Sequence, residues 1–247
     1  METILIYPIG STGACAYAAA YLRRQGIATV DHPTPEATHL LLDVPSFGND
    51  GLLRGGGDLE RILEMLPPYI TVIGGNLDHP SLEGYRRIDL LQEEEYLCRN
   101  AAITAECALQ EAASHLTTTF SDTPTLIIGW GRIGKCLGQL LKTMGCDVTI
   151  AARNPGHRAM LQALGYSTCE PGKIGGNFRL IFNTVPAPVL DQKSLSHFPN
   201  CAKIDLASRK GLAGDDVVWA RGLPGLYAPE SSGRLLGQRI LERIKEA

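Results

Sequence analysis

The sequence predicts an α/β fold of two doubly wound parallel-sheet domains joined by a long helix. Three observations carry that expectation. Short apolar, β-branched runs alternate with helical stretches along the chain, the pattern of parallel strands with crossover helices. Each half opens with strand, glycine turn and helix, first Thr3–Tyr7 with Gly10-Ser11-Thr12-Gly13, then Thr125–Ile128 with Gly129-Trp130-Gly131-Arg132-Ile133-Gly134. Between them, residues 92–118 contain neither glycine nor proline. A chain of 247 residues, 44% of them apolar, has room for two such cores. The expected boundaries are a first α/β domain over 1–95, a connecting helix over 96–120, a second domain over 121–228, and a final helix over 229–247 packed at the seam.

The elements follow in order. The strand at Thr3–Tyr7 leads through the first glycine turn into an Ala-rich helix that ends near Gly26. Strands are expected at Ile27–Val30, His39–Val44 and Ile70–Ile73. The helix before the last of these places Leu59, Ile62, Leu63 and Leu66 on one face behind an Asp58 cap. In the second half, the strand at Thr125–Ile128 precedes a helix with Leu137, Leu140, Leu141 and Met144 on one face, stopped by Gly145. Strands at Val148–Ala152, Leu180–Asn183 and Lys203–Leu206 and a helix at His157–Leu164 complete this half. Pro224-Gly225-Leu226-Tyr227-Ala228-Pro229 reads as a rigid turn before the last helix.

Gly129-x-Gly131-x-x-Gly134 fits the dinucleotide fingerprint, and its setting between an apolar strand and an amphipathic helix meets the contextual test. The first glycine permits the tight turn, the second lets backbone approach a pyrophosphate, and the third lets helix pack on strand. This makes the C-terminal domain a Rossmann dinucleotide-binding domain, with Trp130, Arg132 and Ile133 carried in the same turn. About 20 residues on, where an acidic side chain would accept from a ribose 2′-hydroxyl, stand Ala152, Arg153 and Asn154. An arginine pairs with a 2′-phosphate instead, so NADP is favoured over NAD, the alternative being a solvated Arg153. Thr184, Val185 and Pro186, and then Asp205 and Ser208, end successive strands on the edge where open α/β sheets bind ligands. For Asp205, a loop cap and a ligand contact are both open. Gly10-Ser11-Thr12-Gly13 lacks the fingerprint spacing and reads as a structural turn. Ser46, after the third strand, is expected to face the interdomain cleft.

Other classes are disfavoured. A net charge of −3, with 23 Lys and Arg against 26 Asp and Glu and no basic run, gives no footprint for nucleic acid. No stretch approaches about 20 apolar residues, and there is no signal-peptide pattern, so no membrane partner and a cytoplasmic location are expected. Seven scattered cysteines, without a CxxC pair, suit a reducing compartment and provide no metal site. The six histidines are isolated, so no general base can be named.

The blocks Gly129–Lys135, Val148–Arg153, Ile181–Pro186, Ile204–Arg209 and Leu223–Pro229, in this order and spacing, resemble the A-subunit family of dipicolinate synthase. The match covers residues 110–230 well and the N-terminal third in outline. The resemblance implies a Rossmann domain similar to that of hydroxyacid dehydrogenases. It also implies work with the flavoprotein B subunit of dipicolinate synthase, oxidising a dihydrodipicolinate precursor, a small dicarboxylate, to dipicolinate in the sporulating cell. Carried over by position, Gly129–Gly134 and Arg153 would hold NADP, while Thr184–Pro186 and Asp205–Ser208 would line the cleft. Thr104 and Glu106 fall on a T-x-E segment of the connecting helix. Glu106 and Asp205 are the catalytic candidates, with an exposed Glu106 as the alternative. The sequence departs from the family at Arg209–Gly214, where a Pro-Gly-Gly turn is usual. Two other readings stay open: a 2-hydroxyacid-type dehydrogenase, and a non-catalytic nucleotide-binding scaffold subunit. A homodimer is also compatible with the sequence.

Overall fold

The computed structural model describes residues 4–246. Thr3 of the expected first strand lies outside them. The chain divides into two compact units, one formed by residues up to Asn100 and from Pro224 onward, the other by Ala101–Leu223.

In the first unit, β1 (Leu5–Pro8) leads into α1 (Gly13–Arg24), whose cap is the Thr12 hydroxyl accepting from the Cys15 N–H at 3.2 Å. Next come β2 (Ala28–Thr29), β3 (His39–Leu41), α2 (Leu59–Glu64), β4 (Thr71–Gly74) and β5 (Arg86–Asp89). Asp58 caps α2, as expected, by accepting from the Arg61 N–H. All five strands are parallel, in the order β2-β1-β3-β4-β5. Leu40, Leu42, Ile70 and Val72 pack with Leu59 and Leu63 of α2 in the core beneath the sheet. The strand order reverses between β1 and β3, which makes that point the switch of the sheet.

The helix α3 (Glu94–Ala113) is shorter than the expected 92–118 run. The second unit contains β6 (Thr125–Ile128), α4 (Arg132–Thr143), β7 (Val148–Ala151), α5 (Pro155–Ala163), β8 (Ser167–Cys169), β9 (Leu180–Asn183), α6 (Gln192–Leu195), β10 (Ala202–Asp205) and β11 (Val217–Trp219). Its six parallel strands run β11-β10-β9-β6-β7-β8, which is the dinucleotide-binding order with the switch between β6 and β9. Leu126, Ile128 and Ile181 lie in its core with Leu195 and Phe198.

The segment read as a rigid turn is a short helix, α7 (Leu223–Tyr227), followed by α8 (Pro229–Lys245). Within the first unit, α8 lies on α1 so closely that a Cβ at Gly233 would collide with Tyr17 and the Ala14 carbonyl, and one at Gly237 with the Tyr21 ring. The partner of α8 within this unit is therefore α1. The unit boundary also moves from near 120 to Asn100/Ala101, inside α3. Its physical basis is that the start of α3 is tied to α8, with the Arg239 guanidinium 2.8 Å from Glu93 and 2.9 Å from Glu95.

Candidate functional site

At the carboxyl end of β6 the chain turns through Gly129 at φ +105°, a left-handed conformation that favours glycine. Any Cβ there would also strike the Thr184 hydroxyl. Gly134 is held equally tightly, because a Cβ on it would run into the Gly129 carbonyl. Gly131 differs from both: no atom lies within 4 Å of where its Cβ would be. It is the N-cap of α4, and no side chain caps that helix. Two glycines therefore serve the turn, while the middle one leaves space in front of a helix N-terminus, as an approaching pyrophosphate requires.

Beside this turn lies a cavity of about 490 Å³ whose walls include Gly129, Trp130, Arg153, Asn154, His157 and Val185. The Trp130 ring packs over Gly138 of α4 and meets Tyr166 edge to face, with centroids 5.8 Å apart. Arg153 is exposed at the mouth of the cavity, at the end of β7. No acidic residue stands at that strand end. Asn154 caps α5, its Oδ1 accepting from the N–H groups of Gly156 and His157 at 2.8 and 3.3 Å. Arg158 is spent internally, donating to the carbonyls of Ala152 and Arg153 and to Glu170 at 3.0 Å. Arg132 and Ser208 are exposed and Ile133 is half-buried. Pro171, Gly172 and Pro188, which also line the cavity, were not foreshadowed by any motif.

On the β9 side, Thr184 donates its hydroxyl to the Ile128 carbonyl at 3.0 Å, which ties the strand end to the glycine turn. Val185 lines the cavity and Pro186 is exposed. The Asn183 amide grips the same loop, accepting from the Val185 N–H at 3.0 Å and donating to its carbonyl at 3.1 Å.

Two candidates are corrected. Asp205 is fully buried, and its carboxylate accepts from Asn183 Nδ2 at 2.9 Å and from the N–H groups of Ala207, Gly211 and Leu212 at 3.0, 2.6 and 2.9 Å. With four donors on two oxygens it organises the loop after β10 and has no lone pair directed at a ligand. Ser46 is likewise fully buried, donating to the Asp43 carbonyl at 2.8 Å and accepting from the Gly75 N–H at 3.1 Å. It fastens two loops of the first unit and offers nothing to a cleft. Thr104 is half-buried on α3, whereas Glu106 is exposed, with no hydrogen bond or ion pair among the described residues. Neither lines the cavity at the glycine turn.

In the first unit, the site sequence reasoning missed is Asp43. Its buried carboxylate accepts from the Ser11 N–H and hydroxyl at 2.8 and 3.1 Å, and from the Thr12 N–H and hydroxyl at 3.1 and 2.5 Å. The first glycine turn is thus filled by a carboxylate of the protein itself. Burial, with the Asp43 charge adding to it, pushes the nearby Cys15 thiol up to about 12, so it stays protonated. Among the described residues there is no cluster of His, Cys, Asp or Glu that could hold a metal ion, and no helix long and apolar enough to cross a membrane.

The strand order, the open glycine turn and the cavity at the switch point define an α/β protein with a dinucleotide-binding fold. A curated relative, the A subunit of dipicolinate synthase from Bacillus subtilis (strain 168), is 24% identical over 250 residues, covering 96% of this chain and 84% of the relative. The crystal structure of dipicolinate synthase, A chain, from Bacillus subtilis aligns with a TM-score of 0.81 at 20% identity, over 100% of this chain and 97% of that one. The apo-structure of D-lactate dehydrogenase from Escherichia coli aligns at 0.57 and 14% identity, over 98% and 97% of the two chains. No protein-family model matches the chain. The chain is thus similar in sequence and in fold to the A subunit of dipicolinate synthase, and the resemblance read from its sequence is borne out.

Proposed function

We propose that this chain is an NADP-binding oxidoreductase subunit that acts, as the A subunit of dipicolinate synthase does, in converting a dihydrodipicolinate precursor to dipicolinate. The observation that carries this reading is the combination of the uncapped α4 and open Gly131 with Arg153 at the mouth of the adjoining cavity. The donor set fits the cofactor. The first turn of α4 would face the pyrophosphate, the Arg153 guanidinium would pair with the 2′-phosphate, and the neutral Val185 wall would leave the rest of the cavity to uncharged parts of the nucleotide. When bound, NADP supplies a two-electron hydride acceptor. The chain's own part is to bind and orient. Thr184 and Asn183 hold the strand-end loop in place, Pro186 stiffens it, and Asp205 fixes the loop that presents Ser208. The flavoprotein B subunit of dipicolinate synthase is the expected partner, with a role in sporulation and a cytoplasmic location carried over from the same kinship.

Titration of the purified chain with NADPH and NADH, for wild type and Arg153→Ala, tests the cofactor. Wild type should prefer NADPH by about tenfold or more, and Arg153→Ala should remove most of that preference, as expected for a charge-assisted phosphate contact. Equal binding of both nucleotides by wild type would sink the NADP reading. A second reading, a non-catalytic nucleotide-binding scaffold, is favoured by one observation: the carboxylate of Asp205 is consumed by four donors. Dipicolinate formation from dihydrodipicolinate, assayed with and without the flavoprotein, decides between them. Turnover by the chain alone eliminates the scaffold.

A further inference from the structure

Beyond the cofactor cavity, the carboxyl edge of the second unit carries a stacked cation that the nucleotide does not need. Trp219 ends β11, in register with Asp205 at the end of β10. Its indole N–H donates to the Ala207 carbonyl at 3.0 Å, so the ring is pinned against the loop that Asp205 organises. Trp219 is nevertheless 43% exposed, and the Arg221 guanidinium lies over its ring, 5.3 Å from the centroid. Arg221 is itself exposed, with no carboxylate within ion-pair distance among the described residues.

The neighbouring cations are mostly committed. Lys203 is buried and donates to Asp216 at 2.5 Å and to the Cys201 carbonyl at 3.2 Å, and Lys210 donates to the Gly214 carbonyl at 3.3 Å. Arg209 is exposed on the adjacent loop. The strand order puts β11 three strands from β6. At about 4.8 Å per strand, Arg221 therefore sits roughly 14 Å along the edge from the pyrophosphate turn, on the side away from β7 and Arg153. That is the side where the reactive end of a dinucleotide would lie if its 2′-phosphate is held by Arg153. A guanidinium resting on an aromatic face keeps its N–H groups, which lie in its own plane, available for the two oxygens of a carboxylate. The indole also limits the conformations open to a long side chain, which lowers the ordering cost of binding.

We propose that Arg221, on its Trp219 platform, binds one carboxylate of a small planar dicarboxylate and sets the preference for a dicarboxylate over a monocarboxylate. The inference rests on the functional reading above for its substrate class, but not on the identity of the nucleotide. Calorimetric titration of pyridine-2,6-dicarboxylate and pyridine-2-carboxylate into the whole chain, with and without saturating NADPH, tests it in wild type, Arg221→Gln, Arg221→Lys and Trp219→Leu. Wild type should prefer the dicarboxylate. Arg221→Gln should weaken its binding by about 10- to 100-fold, the scale of a charge-assisted contact, and leave the monocarboxylate nearly unchanged. Arg221→Lys should fall between, and Trp219→Leu should weaken the dicarboxylate by a smaller factor. NADPH affinity and melting temperature should stay at wild-type values in Arg221→Gln. Equal dicarboxylate affinity in wild type and Arg221→Gln, or no dicarboxylate binding by wild type, overturns the proposal. Loss of NADPH binding in wild type, with the Arg221 dependence intact, would instead overturn the cofactor reading and leave this one standing.

Discussion

The two glycine turns occupy the same place in their sheets and hold opposite contents. Extending the β1–β3 register places Gly10 beside Asp43, and extending the β6–β9 register places Gly129 beside Thr184. A Cβ on Gly10 would meet the Asp43 carboxylate, just as one on Gly129 would meet the Thr184 hydroxyl. Both positions lie at the switch point of the strand order, in front of a helix N-terminus. In the first unit a carboxylate takes up the donors of Ser11 and Thr12, so the turn is satisfied from within. In the second a neutral hydroxyl turns back onto the Ile128 carbonyl and the helix is left uncapped. One side chain at the neighbouring strand end thus separates a structural turn from a site for an external anion.

The largest effect is expected where that internal anion is removed. Asp43→Ala strips four accepted hydrogen bonds from a buried position, and since Ser11 and Thr12 keep partial access to water, a loss of about 3–4 kcal/mol is expected in urea unfolding. If the comparison is right, sulfate should stabilise Asp43→Ala more than wild type, because the emptied turn then resembles the second one. Equal responses to sulfate would break the equivalence.

The reciprocal change, Thr184→Asp, brings a carboxylate to the second turn and should weaken NADPH by about 100-fold while the chain still folds, read by calorimetry with circular dichroism alongside. Gly131→Ala is milder. The space around its Cβ is empty of protein, so the melting temperature should hold, while NADPH binding drops about tenfold because the methyl group stands where the pyrophosphate approaches. A Gly131→Ala chain that binds NADPH like wild type would show that the open space is not the phosphate site.

Much of this contrast was legible in the residues, and what was hidden has a physical pattern. Central strands such as Thr125–Ile128 and Leu180–Asn183 are covered on both faces, so they read as continuous apolar runs. The missed strands Arg86–Asp89, Ser167–Cys169 and Val217–Trp219 are sheet edges, with one neighbour each and exposed polar or aromatic positions, so no such run marks them. The glycine spacing at Gly129–Gly134 identified the open turn because the constraint is local to six residues. Asp43 could not be found that way, since it acts on a turn 31 and 32 residues earlier and only the register of β1 and β3 brings them together. Asp205 was visible as a polar strand end, but its donors come from Asn183, Ala207, Gly211 and Leu212, a set that only the folded loop assembles.

An effect no larger than about that of Gly131→Ala concerns β3 itself, four residues before Asp43, and separates the stability of the first turn from its anion chemistry. Burial, with the Arg86 charge adding to it, pushes His39 down to about 4. The native state therefore holds His39 neutral between about pH 6.5 and 4, where the unfolded chain is protonated. Over that window the unfolded state binds the extra proton, so stability is fully present above pH 6.5 and declines as the pH falls toward 4. Because His39 is only partly buried, the loss is about 1–2 kcal/mol once solvent screening is allowed for. Urea unfolding of wild type and His39→Gln at pH 7.5, 6 and 4.5 measures it. The variant should show a shallower decline and keep the sulfate response of wild type, because the carboxylate of Asp43, not the imidazole, fills the turn. An unchanged slope in His39→Gln would place the acid sensitivity of this unit elsewhere.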